Sequence, residues 1–176
     1  MMDRSFTFNG QDMREAYGLI IESLERPVMA QLRERKQAIP YRSGAIDFGA
    51  KYRNEMPVVI HCGCPGLTRT QVRELAYALA QKGKIIFWDE TDKYYIGRLY
   101  EKLDLNRAVT LHKLDLVFTC DPCAYGQQVT VDFTNQKSMQ YAGTEETPCV
   151  ITITNNNNYP MRGITITMWE ANEQIV

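Results

Sequence analysis

Leu114, Leu116 and Phe118 alternate with Asp115, Val117 and Thr119, and this period of two is the feature that most limits what the chain can become. Successive side chains of a strand point to opposite faces, so the pattern gives one apolar and one polar face. Wound into a helix, the same residues would scatter around the axis and leave no face to bury. The run from 111 to 120 is therefore a strand, and Asp121-Pro122 ends it. The signature recurs from 45 to 52, where Ile46, Phe48, Ala50 and Tyr52 alternate with Asp47, Gly49 and Lys51 and predict a half-buried strand. The β-branched run PVVIHC at 57–62 predicts a more buried one. KIIFW at 84–88, the turn DETD at 89–92 and YYIGRL at 94–99 read as a β-hairpin. SFTF at 5–8 and VTVDF at 129–133 are shorter strand candidates, NGQD at 9–12 is turn-like, and GLII at 18–21 is a further apolar run.

Against this background one helix is expected, over 69–82. Thr68 is the candidate N-cap and Gln71 completes a capping box. Val72, Leu75, Ala76 and Leu79 fall on one face, Arg73 and Glu74 point to solvent, and Gly83 stops the helix in the C′ position. The predicted fold class is mainly β (α+β): a sheet or sandwich domain with one packed helix and an extended arm, followed by the start of a second β domain.

The arm is residues 22–44. This stretch is polar and charged and contains Pro27 and Pro40, the latter biasing Ile39 away from helix. It reads as an extended arm or long hairpin, either a solvated loop or a grip on a neighbour. The first domain is placed at 1–133 and a polar linker with Gly and Pro at 134–148. At 149–176 two period-two runs, CVITIT and GITITM, flank an Asn-rich turn and predict a β-hairpin. Two strands alone are marginal in water, so this hairpin needs a partner surface or further strands.

Size, charge and termini narrow the function. With 176 residues the chain is long enough for one sizeable core. Its net charge of -1 lacks the basic excess that neutralises phosphates, so no specific nucleic-acid binding is expected. No apolar run reaches the length of a membrane span and the first residues form no signal peptide, so neither a membrane partner nor secretion is expected. An odd number of cysteines, 5, argues against a fully paired disulfide framework and for a reducing cytoplasm.

Chemistry-bearing residues are sparse. Cys62, Cys64, Cys120 and Cys123 form two short clusters, and four thiolates suit tetrahedral zinc. The spacing speaks against it, because only the second pair has the two-residue spacer, and Asp121-Pro122 inside it reads as a turn. The reading adopted is that Cys62 and Cys120 pack as small apolar residues at strand ends, with no metal ligands. A cysteine nucleophile needs a base, and His61 and His112 are the two histidines. His61 precedes Cys62 on one strand, so the two point to opposite faces. No phosphate loop, HExxH or GxSxG is present, and no catalytic residue, cofactor-binding residue or cofactor is assigned. Asp89, Glu90 and Asp92 read as a solvated hairpin tip. Phe87, Trp88, Tyr94 and Tyr95 read as cross-strand packing, with a sugar-stacking surface as the functional alternative.

The order of these features resembles the N-terminal, ring-forming domain of the phage distal tail protein family of siphophages and prophages. The matching segments are FTFNGQDMREAYGLII at 6–21, IPYRSGAIDFG at 39–49, VRELAYALAQKGKIIFWDETDKYYIGRL at 72–99 and LDLVFTCDPCAYG at 114–126. Each is weak alone; their ordered set over 5–133 carries the resemblance. It implies a structural, non-enzymatic virion protein, made in the bacterial host cytoplasm and built into the tail. There it is expected to form a hexameric ring joining the tail tube to the tail tip or baseplate and enclosing the DNA exit channel. The implied partners are further copies of itself, the tail tube protein, the tape measure protein and the tail tip or tail-associated protein. The alternative is a carbohydrate-binding adsorption module of the tail tip. The hairpin at 149–176 resembles the incomplete opening of the family's galectin-like second domain. A near-neutral charge suits a lumen through which DNA must slide.

Overall fold

In the computed structural model, residues 4–41, 43–49, 52–64, 66–134 and 137–167 are described; Ala50, Lys51 and the end of the expected hairpin at 168–176 lie outside them. The chain divides into two compact units, Met1–Thr130 and Val131–Val176. The first is mainly β, a large antiparallel sheet with three helices. In chain order its elements are β1 (Phe6–Phe8), β2 (Gln11–Asp12), α1 (Met13–Tyr17), β3 (Ile20–Glu25), β4 (Lys36–Ala38), β5 (Ala45–Asp47), β6 (Met56–Gly63), α2 (Arg69–Leu79), β7 (Gly83–Phe87), β8 (Lys93–Leu99), α3 (Leu105–Thr110), β9 (Lys113–Cys120) and β10 (Tyr125–Gly126).

The main sheet has the order β2-β1-β7-β8-β9-β6-β3, with β10 pairing β8 and a separate β4-β5 pair. The alternation of β9 sets the register of the centre: Leu114, Leu116 and Phe118 face Cys62, Ile60 and Val58 of β6, all of them buried. In a flat sheet the six intervals from β2 to β3 would separate the edges by roughly 29 Å. Yet α1, Gly18 and Leu19 are all that join those two strands, a reach of about 15 Å for one short helix and two extended residues. The sheet must therefore curl. The Ile21 N–H donates to the Arg4 carbonyl at 3.1 Å, so the β3 edge meets the chain just before β1. Across the hollow, the Phe6 and Phe8 rings lie 6.2 and 5.9 Å from Phe118, although β7 and β8 stand between their strands.

The core fills the concave side. α2 contributes Val72, Leu75 and Leu79, and its capping box forms as the sequence predicts: Thr68 Oγ1 accepts from the Gln71 N–H and Gln71 Oε1 from the Thr68 N–H. The helix ends at Leu79, with Ala80 as an ordinary right-handed cap. Gly83 is thus no helix stop but the first residue of β7, and a Cβ there would lie 2.4 Å from the Phe8 ring. Gly97 on β8 has the same cause, since a Cβ would meet Cys120 Sγ at 2.6 Å.

Several expectations change. Among the described residues there are three helices rather than one; α1 and α3 are capped by Asp12 and Asp104, whose carboxylates accept from backbone N–H groups of the first turn. Burial pushes the Asp12 carboxyl up, but its bonds from Ser5 Oγ and two N–H groups outweigh this and leave it below the usual carboxylate range. The projection begins after Glu25, because residues 23–25 pair with β6 inside the main sheet, with Glu22 at a bulge. Among the described residues of the expected half-buried strand at 45–52, Ala45–Asp47 form a strand, and Phe48 and Tyr52 are exposed. No strand forms at 129–133, where Val129 and Phe133 face solvent.

The second unit carries no strand or helix among its described residues. The Asn-rich turn is present, with Asn155 Nδ2 donating to the Tyr159 carbonyl at 2.9 Å and the Asn157 N–H to Asn155 Oδ1 at 3.0 Å. The ladder expected on either side is not formed over 149–167, and Val150, Ile153, Ile164 and Ile166 are exposed. The turn has local partners, whereas the ladder would have to stand as a two-stranded sheet without a covered face.

Candidate functional site

The segment from 27 to 53 leaves the curled sheet and returns to it as a projecting hairpin. Its outer part is the β4–β5 pair, with Lys36, Gln37 and Ala38 opposite Asp47, Ile46 and Ala45. The pairing continues inward: the Phe48 N–H donates to the Arg35 carbonyl, the Arg33 N–H to the Tyr52 carbonyl, and the Asn54 N–H to the Gln31 carbonyl, at 2.7–2.9 Å. Leu32 and Arg53 bridge between the last two bonds. Gly49 follows β5 with φ +84, and its N–H donates to Asp47 Oδ1 at 2.9 Å. Beyond β4 and before β5, at the tip, Tyr41 and Gly44 adopt φ +66 and +85.

What distinguishes this hairpin is its lack of cover. Ala30 is buried at the root, but β4 is exposed throughout and β5 nearly so. Met29, Ile39, Tyr41, Phe48 and Tyr52 all present their side chains to solvent. A two-stranded ribbon with apolar side chains on display is marginal alone.

The cysteines and histidines do not assemble. Met56 pairs with Cys120 and Cys62 with Leu114, so Cys62 and Cys120 sit at opposite ends of one ladder, roughly 20 Å apart. Among the described residues no group of three or more His, Cys, Asp or Glu is arranged to hold a metal. Burial pushes the thiols of Cys62 and Cys120 up to about 12 and raises that of Cys64 as well, which removes the thiolate a nucleophile or ligand needs. Cys64 donates to the Ala108 carbonyl at 3.5 Å in the core. The His112 carbonyl accepts from the Cys64 N–H at 2.8 Å, but its side chain is exposed and so turned away from that thiol.

His61 is half-buried on the convex face, opposite in direction to buried Cys62. There its Nδ1 meets Asp115 Oδ1 at 2.7 Å across the β6–β9 register, a pairing the sequence reading did not find. Arg107 Nη1 binds the other oxygen of Asp115, and Glu25 Oε1 lies 3.8 Å from His61 Nε2. The hydrogen bond to His61, with the Arg107 charge beside it, holds the Asp115 carboxyl below its ordinary value. Glu25, His61, Asp115 and Arg107 thus line up across the convex face, with Ser23 opposite His61 in the β3–β6 register.

The hairpin aromatics are likewise occupied. Phe87 and Tyr95 pack edge to face at 5.7 Å, and Tyr95 Oη donates to Glu90 Oε2 at 3.0 Å. Tyr94 stacks on Tyr125 at 5.4 Å, with Lys84 Nζ 4.0 Å from its ring centre. Asp89 and Glu90, expected as a solvated acidic tip, are paired with Arg26.

No known family profile and no curated protein matches the chain. Among solved structures it is similar to the Dit protein of SPP1, described as a paradigm of the hub adsorption apparatus in phages infecting Gram-positive hosts. The TM-score is 0.58 at 21% identity, covering 72% of this chain and 53% of that one. This chain thus spans about half the length of the structure it matches, and what the two share is the fold.

Proposed function

We propose that the protein is a structural component of a phage or prophage tail: the distal ring, a hexamer of this chain, that joins the tail tube to the tail tip and surrounds the DNA exit channel. One observation carries the reading, the projecting hairpin of 27–53 whose apolar side chains have no cover among the described residues of the first unit. The likeness of fold to a phage hub protein supports it. A closed ring uses head-to-tail contacts, in which one surface of each copy fits a different surface of the next. The hairpin is the donor: it lies along the neighbouring copy, buries Phe48, Tyr52 and Tyr41 and adds its backbone to a sheet edge there. The further partners on this reading are the tube, tape measure and tip proteins. The protein is no enzyme, a reading supported by the burial of the Cys62, Cys64 and Cys120 thiols, which disfavours their thiolates. The convex face carries its charges in pairs, which suits a wall that DNA passes without being held.

The test is assembly. Electron microscopy and sedimentation of the purified protein, alone and with tail tube protein, are expected to find closed six-membered rings. Excising residues 33–52 and joining the ends with a short Gly-Ser turn is expected to leave the core folded and abolish the rings. Rings that form equally well without the hairpin overturn the clasp; no ring even on a tube end overturns the function.

A further inference from the structure

The curled sheet has a seam. β3 and the β1–β7 side meet with one backbone bond at its upper end, from Ile21 to Arg4. Below that bond lies a cleft of about 320 Å³ bordered by Arg4, Ser23, Leu24, Trp88 and Asp89. Arg26 closes the lower end. It is the first residue after β3 and the last before the hairpin, and Pro27 behind it holds its backbone extended. Its guanidinium lies 5.1 Å from the Phe87 ring centre and 5.4 Å from that of Tyr95, while Nη2 meets Asp89 Oδ2 at 2.9 Å and Nη1 meets Glu90 Oε2 at 3.3 Å. The side chain is 18% exposed, so these contacts are screened less than those of a surface pair. Nη2 donates to Asp89 while the guanidinium lies against the two rings, and Nη1 has only the ionic contact with Glu90; a lysine ammonium does not reproduce this combination.

We propose that Arg26 is the positioning residue of the hairpin: it fastens the root of the projection to the β7–β8 turn and so fixes the direction in which the hairpin points before any neighbour is present. This rests on the clasp reading given above and deepens it. A hairpin free to swing is in its binding direction for part of the time, and apparent affinity falls by that fraction. Fixing the root removes that loss without adding a contact between copies.

The experiment separates direction from assembly. Spin labels are placed at Ser43→Cys on the tip and Glu74→Cys on the exposed face of α2, in a background with Cys123→Ser and Cys149→Ser, and the inter-label distance distribution is read at a concentration where sedimentation finds protomers. With Arg26 present the distribution is expected to be narrow; with Arg26→Ala it broadens, and the concentration for half-assembly rises by about tenfold if one protomer in ten points correctly. Arg26→Lys falls between the two. The pair Asp89→Asn and Glu90→Gln, which keeps Arg26 and its stacking, broadens the distribution as well and guards against a folding defect of the alanine variant. An unchanged width in both variants overturns the proposal, as does a broadened width with an unchanged assembly threshold. Failure of the unaltered protein to form rings overturns the clasp reading alone, because the width is measured on protomers.

Discussion

β9 and the return strand of the projecting hairpin carry nearly the same sequence signal and meet opposite fates. Leu114, Leu116 and Phe118 alternate with polar residues and lie at 0–2% exposure; Ile46, Phe48 and Tyr52 alternate in the same way, and Phe48 and Tyr52 are 58% and 56% exposed. Period two states that one face of a strand needs cover. It does not state which chain supplies it. For β9 the cover is α2 and the far wall of the curled sheet; for the hairpin, nothing among the described residues of the first unit does so. The difference between a core strand and an assembly strand therefore lies in topology, not in the pattern.

That contrast can be broken by substitution. Leu116→Ala is expected to cost about 2–5 kcal/mol in urea unfolding, whereas Phe48→Ser changes protomer stability by about 0.5 kcal/mol or less while weakening ring assembly. Equal losses of protomer stability would mean that Phe48 packs on its own chain and that the contrast is false. Gly97→Ala sharpens the core side of the comparison. Its new Cβ would stand 2.6 Å from Cys120 Sγ and 3.1 Å from the Thr119 carbonyl, and overpacking of this kind costs about 1–3 kcal/mol. Cys120→Ala in the same chain is expected to recover part of that loss and not all, because the carbonyl stays where it is. The smallest effect belongs to the convex face. Asp115 is titrated below its ordinary value, so its contribution is present above about pH 3.9 and fades as pH falls through the lowered value. Because Asp115 is a third exposed, the difference between wild type and Asp115→Asn is expected to be about 0.5 kcal/mol at neutral pH. Urea midpoints taken down to about pH 2 should show it shrinking toward zero; a difference that grows in acid would contradict the assigned sign.

Much of the first unit was legible because its signals are local. The capping box of Thr68 and Gln71, the β7–β8 turn and the alternation of β9 each involve neighbours in sequence. α1 and α3 were missed because five and six residues are too few to show a helical period. Their local signal was a capping aspartate, followed for α1 by Glu15 and by Gly18 in the left-handed cap. Residues 22–25 look like arm because an edge strand buries little; its membership is set by β6, which the chain reaches only after the projection. His61 and Asp115 stand 54 residues apart and meet through register alone. In the second unit the strand-forming composition of CVITIT and GITITM is plain, yet composition does not supply the neighbour that a ladder needs.

The curl of the sheet also orders events in time. β1 is synthesised well before β7 and β9, but Phe8 pairs with Ile85 and its ring packs on Phe118. At about 5–20 residues per second a ribosome takes several seconds to deliver those partners. During that interval Phe6, Phe8, Leu19 and Ile21 have no hollow to enter, and the β3 edge has no seam to close. The nascent chain is therefore at its most adhesive before β9 emerges, in the same cell where every copy of the same stretch is being made.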